Sequence, residues 1–190
     1  AAMQGFVVVP LFVGYDTDYK GYGFDLAKAK SMLAGAGSAT LEVATANATL
    51  AQAVQGQLQA AGLTVKVSQV DQTTLTNDVN AGTPAIFLTS YGVSDGDADS
   101  VFGSKFISTR PGKESNYSDP DLDQLIIKGR SSVDAAKRTP YYAQATEKVM
   151  GAAIWVPLIM PQALYAASTK VKGWTPSSIG RYNLTNVTLG

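Results

Sequence analysis

The apolar positions change period several times along the chain, and each change marks an element. Residues 1–23 are rich in Gly, Pro and Tyr and hold no lasting period, which reads as a loop or lead-in strand. Asp25 then stands where it can cap a helix carrying Leu26, Ala29, Leu33 and Ala36 on one face, and Gly35 and Gly37 end that helix. Residues 40–45 alternate, with Leu41, Val43 and Thr45 on one side, as a strand requires. Asn47 caps a second helix whose stripe is Leu50, Ala53, Val54, Leu58 and Ala61, and Gly62 stops it. Leu63, Val65 and Val67 alternate again. A strand, a helix and a strand in this order predict parallel pairing with a right-handed crossover.

Asp71 opens a short helix with Leu75 and Val79, closed by Gly82, and the apolar run at 84–91 fits a buried third strand. Residues 94–104 read as a loop. Asp119-Pro120 is a helix start, with a capping carboxylate and Pro at the first helical position, and Leu122, Leu125 and Ile126 supply its stripe. A longer helix is predicted from about residue 134 to 150, with Tyr142, Ala145, Thr146 and Val149 inward. Pro140 lies in its early turns and is expected to kink it or delay its start. Residues 154–160 and 163–168 read as two strands joined at Pro161, with a last strand at 186–189. The whole reads as one α/β domain without internal repeats or low-complexity tracts.

Composition narrows the chemistry. A chain of 190 residues, 45% hydrophobic, suffices for one well-packed domain. Only 16% of residues are charged and the formal net charge is zero, which argues against nucleic acid and against a polybasic membrane patch. With no cysteine, disulfides, thiolate catalysis and cysteine metal sites are excluded within the chain. With no histidine, every Ser-His-Asp triad is excluded too. No apolar run reaches the roughly 18 residues of a membrane helix. The apolar stretch 6–13 is short, broken by Pro10 and without a basic leader, so it does not read as a signal peptide. Any targeting or anchoring segment is expected to lie outside the chain.

Gly35-Ala-Gly37 ends a helix instead of linking strand to helix, so it reads as a cap and not as a dinucleotide loop. Asp95-Gly-Asp-Ala-Asp99 starts like a calcium loop, but Ser100 and Phe106 stand where glycine and glutamate are required. A solvated acidic loop or a ligand anchor fits better. Asn47, Asn116, Asn183 and Asn186 begin Asn-x-Ser/Thr triplets, which arise by chance in a chain this rich in Ser and Thr. Tyr15, Tyr19 and Tyr22 either pack a loop or line a cleft.

Several pieces follow one another in an order that resembles a known family. They are Phe24-Asp-Leu-Ala-Lys-Ala-Lys-Ser-Met-Leu-Ala-Gly-Ala-Gly37, then Leu58-Gln-Ala-Ala-Gly-Leu-Thr-Val65, then Tyr117-Ser-Asp-Pro-Asp-Leu-Asp123. Arg138 with Tyr141 or Tyr142, Val156-Pro-Leu158 and Val171-Lys-Gly173 complete the set. Over roughly residues 22–174 the chain resembles the second lobe of a family 5 extracellular solute-binding protein.

The resemblance implies an α/β fold: one lobe of a type II periplasmic-binding-protein-like clamshell, a mixed sheet flanked by helices. It implies a lead-in segment at 1–23, the lobe at 24–174 and a tail at 175–190. It also implies a non-catalytic lipoprotein at the extracellular face or in the periplasm, serving an ABC permease. No cofactor and no metal are expected. The solute would be a small peptide or a related compound, enclosed with a first lobe that this chain lacks. A ligand-contacting loop follows the strand ending near Tyr91. There the family carries Trp, and an Asp three residues later that pairs with a peptide's amino terminus. Here Tyr91 replaces Trp, Ser94 falls at the Asp position, and Asp95 reaches it by a one-residue slip. The expected site is therefore Tyr91, Ser94, Asp95 and Asp97, with Asn116 and Tyr117 nearby. The alternative is a relative repurposed for protein–protein contact or envelope regulation. Half a cleft would bind its solute only weakly when isolated.

Overall fold

The computed structural model describes residues 7–10, 12–92, 95–110, 117–161, 164–177 and 182–190. The chain forms two compact units, residues 22–91 with 104–120, and residues 1–21 with 92–103 and 121–190.

The first unit is organised by β1 (Ser38–Ala44). It lies between β2 (Thr64–Val70) and β3 (Ile86–Leu88), both parallel to it, so the order is β2-β1-β3. Leu41 stands opposite Val67 and Ile86, the register that the alternating pattern predicts. Leu41 and Val43 are fully buried, and each such side chain contributes about 1.5–3 kcal/mol. Parallel neighbours need crossovers, and α2 (Ala48–Ala60) and α3 (Gln72–Ala81) provide them. Leu75 and Val79 of α3 pack on Ala44, with Val70 and Phe87 beside them. The Asp71 carboxylate starts α3 by accepting from Thr73 N and Thr74 N at 2.9 and 3.0 Å. Gly62, at φ 99°, ends α2, with its N–H on the Gln59 carbonyl and that of Leu63 on Leu58.

Three details of this unit depart from the pattern. α1 (Leu26–Met32) is capped by Asp25 at 2.8 Å but buries no residue: Leu26, Ala29 and Leu33 are half-covered and Ala36 is exposed. On α2 the fully buried position is Ala51 and Ala53 faces out; the helix is entered through a 3-10 turn at Thr45–Asn47. That turn also leaves the Asn47 side chain without a capping bond, and it accepts from Ser90 Oγ at 3.4 Å instead.

In the second unit lie most of α4 (Ala98–Lys105), nearly all of α5 (Pro120–Arg130), and α6 (Ala135–Gly151). Leu122 and Ile126 of α5 and Tyr142, Ala145, Thr146 and Val149 of α6 are buried, as their spacing predicts. Asp134 caps α6 at 3.0 Å, so Pro140 does not delay its start. The helix α4 replaces the expected loop: Ala98, Val101 and Phe102 bury at i, i+3 and i+4. Among the described residues, 154–161 and 164–168 form no strand. Pro157 and Pro161 remove the donors a ladder needs. β4 (Val171–Lys172) and β5 (Thr188–Leu189) pair antiparallel in a short ribbon. No helix of the described residues is long and apolar enough to cross a membrane.

Candidate functional site

Loops beyond the carboxyl ends of parallel strands collect ligand-binding residues, and Tyr91 stands just past β3. The residue is 38% exposed. Its hydroxyl shares a 2.9 Å hydrogen bond with Ser104 Oγ, and Lys105 Nζ lies 4.7 Å from the ring centroid. The Arg110 guanidinium donates to the Ser104 carbonyl. Tyr91 and Lys105 border a shallow hollow of about 150 Å³, whose lining includes Leu75, Val79, Phe87 and Thr89. It offers an aromatic face, an ammonium and an apolar wall, all within the first unit.

Asp95 and Asp97 belong to the second unit and are tied to the start of α4. Asp95 Oδ1 accepts from Asp97 N at 3.2 Å and from Ser100 Oγ at 2.9 Å. Asp97 Oδ1 accepts from Asp99 N at 2.8 Å. The same Asp97 carboxylate forms a bidentate pair with Arg138 of α6, at 2.5 and 2.7 Å. The backbone here is fixed too: Val13 N donates to the Gly96 carbonyl at 3.0 Å, and Ala98 N to that of Val13 at 2.9 Å.

Arg138 is the hub. Its Nε donates to the Gly129 carbonyl at 2.9 Å and Nη2 to the Tyr142 hydroxyl at 3.2 Å. That hydroxyl donates to Asp99 Oδ1 at 3.3 Å, and Arg130 Nε to the same oxygen at 2.9 Å. Desolvation works against the Arg138 cation, but hydrogen bonds to Tyr142 and Asp97 and the charge of Asp97 hold its pKa above the usual value. Burial pushes the Tyr142 phenol up to about 12, against the Arg138 hydrogen bond and with the Asp99 charge. The Tyr142 ring is fully buried and stacks on Phe102, centroids 5.6 Å apart. Two glycines leave it room. A Cβ on Gly129 would lie 2.7 Å from the ring. One on Gly14, at φ 94°, would lie 2.6 Å from Ala98 Cβ and 2.8 Å from the ring.

Of the expected site residues, Asp95 and Asp97 are brought together, but through bonds to their own turn. Tyr117 donates its hydroxyl to Asp119 at 3.1 Å, beside the start of α5. Ser94 and Asn116 lie outside the described residues. Among the described residues no group of three or more acidic side chains is placed to hold a metal ion. Sequence reasoning missed the roles of Asp99, Arg130, Arg138 and Tyr142. Periodicity set Tyr142 inward and the collinear resemblance singled out Arg138, but partners some 40 residues apart leave no periodic trace of their pairing.

The fold is that of one lobe of a periplasmic-binding-protein-like clamshell. It superposes on the periplasmic binding protein DppA of Helicobacter pylori, solved with the peptide STSA and titled ABC transporter-associated, with a TM-score of 0.83. The overlap covers 99% of this chain and 39% of that one at 25% identity. The chain belongs to the bacterial extracellular solute-binding proteins, family 5: the model of that family's middle region matches residues 1–113, more than half the chain. Among curated relatives, a Pseudomonas aeruginosa protein named "Probable di/tripeptide-binding protein 5" is 27% identical over 185 residues, 91% of this chain and 35% of its own length. The glutathione-binding protein GsiB of Escherichia coli K12 is 26% identical over 184 residues, 88% of this chain and 36% of its own. The chain thus spans about a third of the length of the curated relatives it matches.

Proposed function

We propose that residues 24–174 are the second, non-catalytic lobe of a solute-binding protein that delivers a small peptide or peptide-like compound to an ABC permease outside the cytoplasmic membrane. The loop following β3 contacts the solute, with Tyr91 as an aromatic wall and Ser94 and Asp95 as polar contacts. Asp97 closes the turn behind them, and Asn116 and Tyr117 are secondary contacts. A first lobe elsewhere in the parent closes over the solute by a hinge. The parent is a lipoprotein. The observation that carries this reading is that relatives named for di/tripeptides and for glutathione align over about nine-tenths of the chain. The repurposed alternative finds no support among those relatives.

The test is thermal shift on the full-length parent with di- and tripeptides and glutathione. A ligand that binds the native state a hundredfold above its Kd stabilises it by about 2.7 kcal/mol, which raises the melting temperature by several degrees. Absence of any shift across the panel overturns the peptide assignment.

A further inference from the structure

We infer that Arg138 is a positioning residue for the solute-contacting loop: it touches no solute but fixes Asp95–Asp97 where the loop turns into α4. The inference rests on the function proposed above and deepens it.

The geometry carries it. A loop leaving a strand is held by its backbone unless side chains pin it. Here the turn at 95–97 ends on a carboxylate gripped by both terminal nitrogens of one guanidinium, at 2.5 and 2.7 Å. Such a fork fixes orientation as well as distance, which a lysine cannot do. The remaining donors of Arg138 are anchored on rigid parts, the Gly129 carbonyl at the end of α5 and the hydroxyl of the buried Tyr142. One side chain therefore refers the loop to two helices. The Asp97 and Arg138 side chains are 22% and 14% exposed, so water screens the pair weakly. Asp95 in turn depends on Asp97, because its carboxylate accepts the Asp97 N–H. A shift of Asp97 passes to the one acidic contact proposed for the solute. By contrast, Arg130 pairs with Asp99 inside α4, at 41% and 31% exposure, and makes no bond to the turn at 95–97.

The experiment measures peptide affinity by calorimetry on the full-length parent, well below the melting temperature of every variant. Arg138→Met, Asp97→Asn and the conservative Arg138→Lys are each expected to weaken binding about tenfold, the size of coupling seen between contacting residues. The double variant is expected to lose no more than either single one. Arg130→Met, the structural control, is expected to keep the unsubstituted affinity. If Arg138→Lys and Arg138→Met lower only the melting temperature and leave Kd unchanged, Arg138 is purely structural and the inference is wrong. Equal losses of affinity in Arg130→Met also overturn it. If the unsubstituted protein binds no member of the panel, the proposed function fails, and the inference with it.

Discussion

Both units bury apolar side chains at the period of their elements, and the second adds a cluster of charges beside its core. Around β1 the buried side chains are apolar and repeat with the period of their element: Leu41, Val43, Ala44 and Leu75 are all at most 2% exposed. Beside the buried Tyr142 ring stand charges: Arg138 and Asp99 hydrogen-bond its hydroxyl, and Asp97 and Arg130 pair with those two in turn. The first arrangement tolerates small errors, since apolar contacts are non-directional. The second has no such slack, because a buried ion that loses its partner keeps its desolvation cost. Burial by period is legible in a sequence, and burial by pairing is not.

The largest expected effect lies at the charge cluster. Tyr142→Ala removes a fully buried ring and its stack on Phe102 and leaves Arg138 and Asp99 short of a partner. A loss of about 4 kcal/mol is expected in urea unfolding, as for other buried aromatic truncations. A loss below about 1 kcal/mol would show that the network collapses without penalty and would erase the contrast.

One substitution made in two helices sharpens it. Gly129→Ala on α5 drives a methyl to 2.7 Å from the Tyr142 ring, and overpacking of this kind costs about 2 kcal/mol. Gly56→Ala on the exposed side of α2 meets nothing within 4 Å and is expected to gain about 0.8 kcal/mol of helix propensity. Opposite signs in the shift of the urea midpoint are the expected result. Equal signs would mean that Gly129 is not kept small by the ring.

These two glycines also mark how far the sequence could be read. The strands at Leu41–Val43 and Val65–Val67, their parallel pairing and the caps at Asp25 and Asp71 all follow from local rules, and the structure has them. α4 was hidden because three aspartates in five residues read as a loop, although Ala98, Val101, Phe102 and Phe106 carry a helical stripe. The strands expected at 154–160 and 163–168 do not form among the described residues, because Pro157 and Pro161 lack the donors a ladder needs. Tyr91 was singled out by the resemblance, at the end of the apolar run 84–91, and it stands just past β3. The engagement of Asp97 with Arg138 could not be read, since 41 residues separate them and only folding brings them together.

The smallest effect tests a polar intrusion beside the apolar interior. Glu42 lies on β1, and its Oε1 is buried without a hydrogen-bond partner. Desolvation, then the charge and hydrogen bonding of Asp78 on α3, raise its pKa above the ordinary 4.5. An acid whose folded pKa is raised binds its proton more tightly in the native state. Its contribution therefore favours folding below about pH 4.5 and is lost as pH rises through the raised value. Glu42→Gln is neutral throughout and presents an amide that can donate toward Asp78. The variant is expected to match the unsubstituted protein at pH 4, to gain on it as pH rises, and to hold a constant advantage by pH 7. Urea midpoints measured at intervals from pH 4 to pH 8 decide the matter. A difference that does not change with pH would mean that Glu42 titrates as a solvated carboxylate. A variant less stable at pH 7 would mean that the carboxylate has a favourable role, and that the interior around β1 is not as purely apolar as its period suggests.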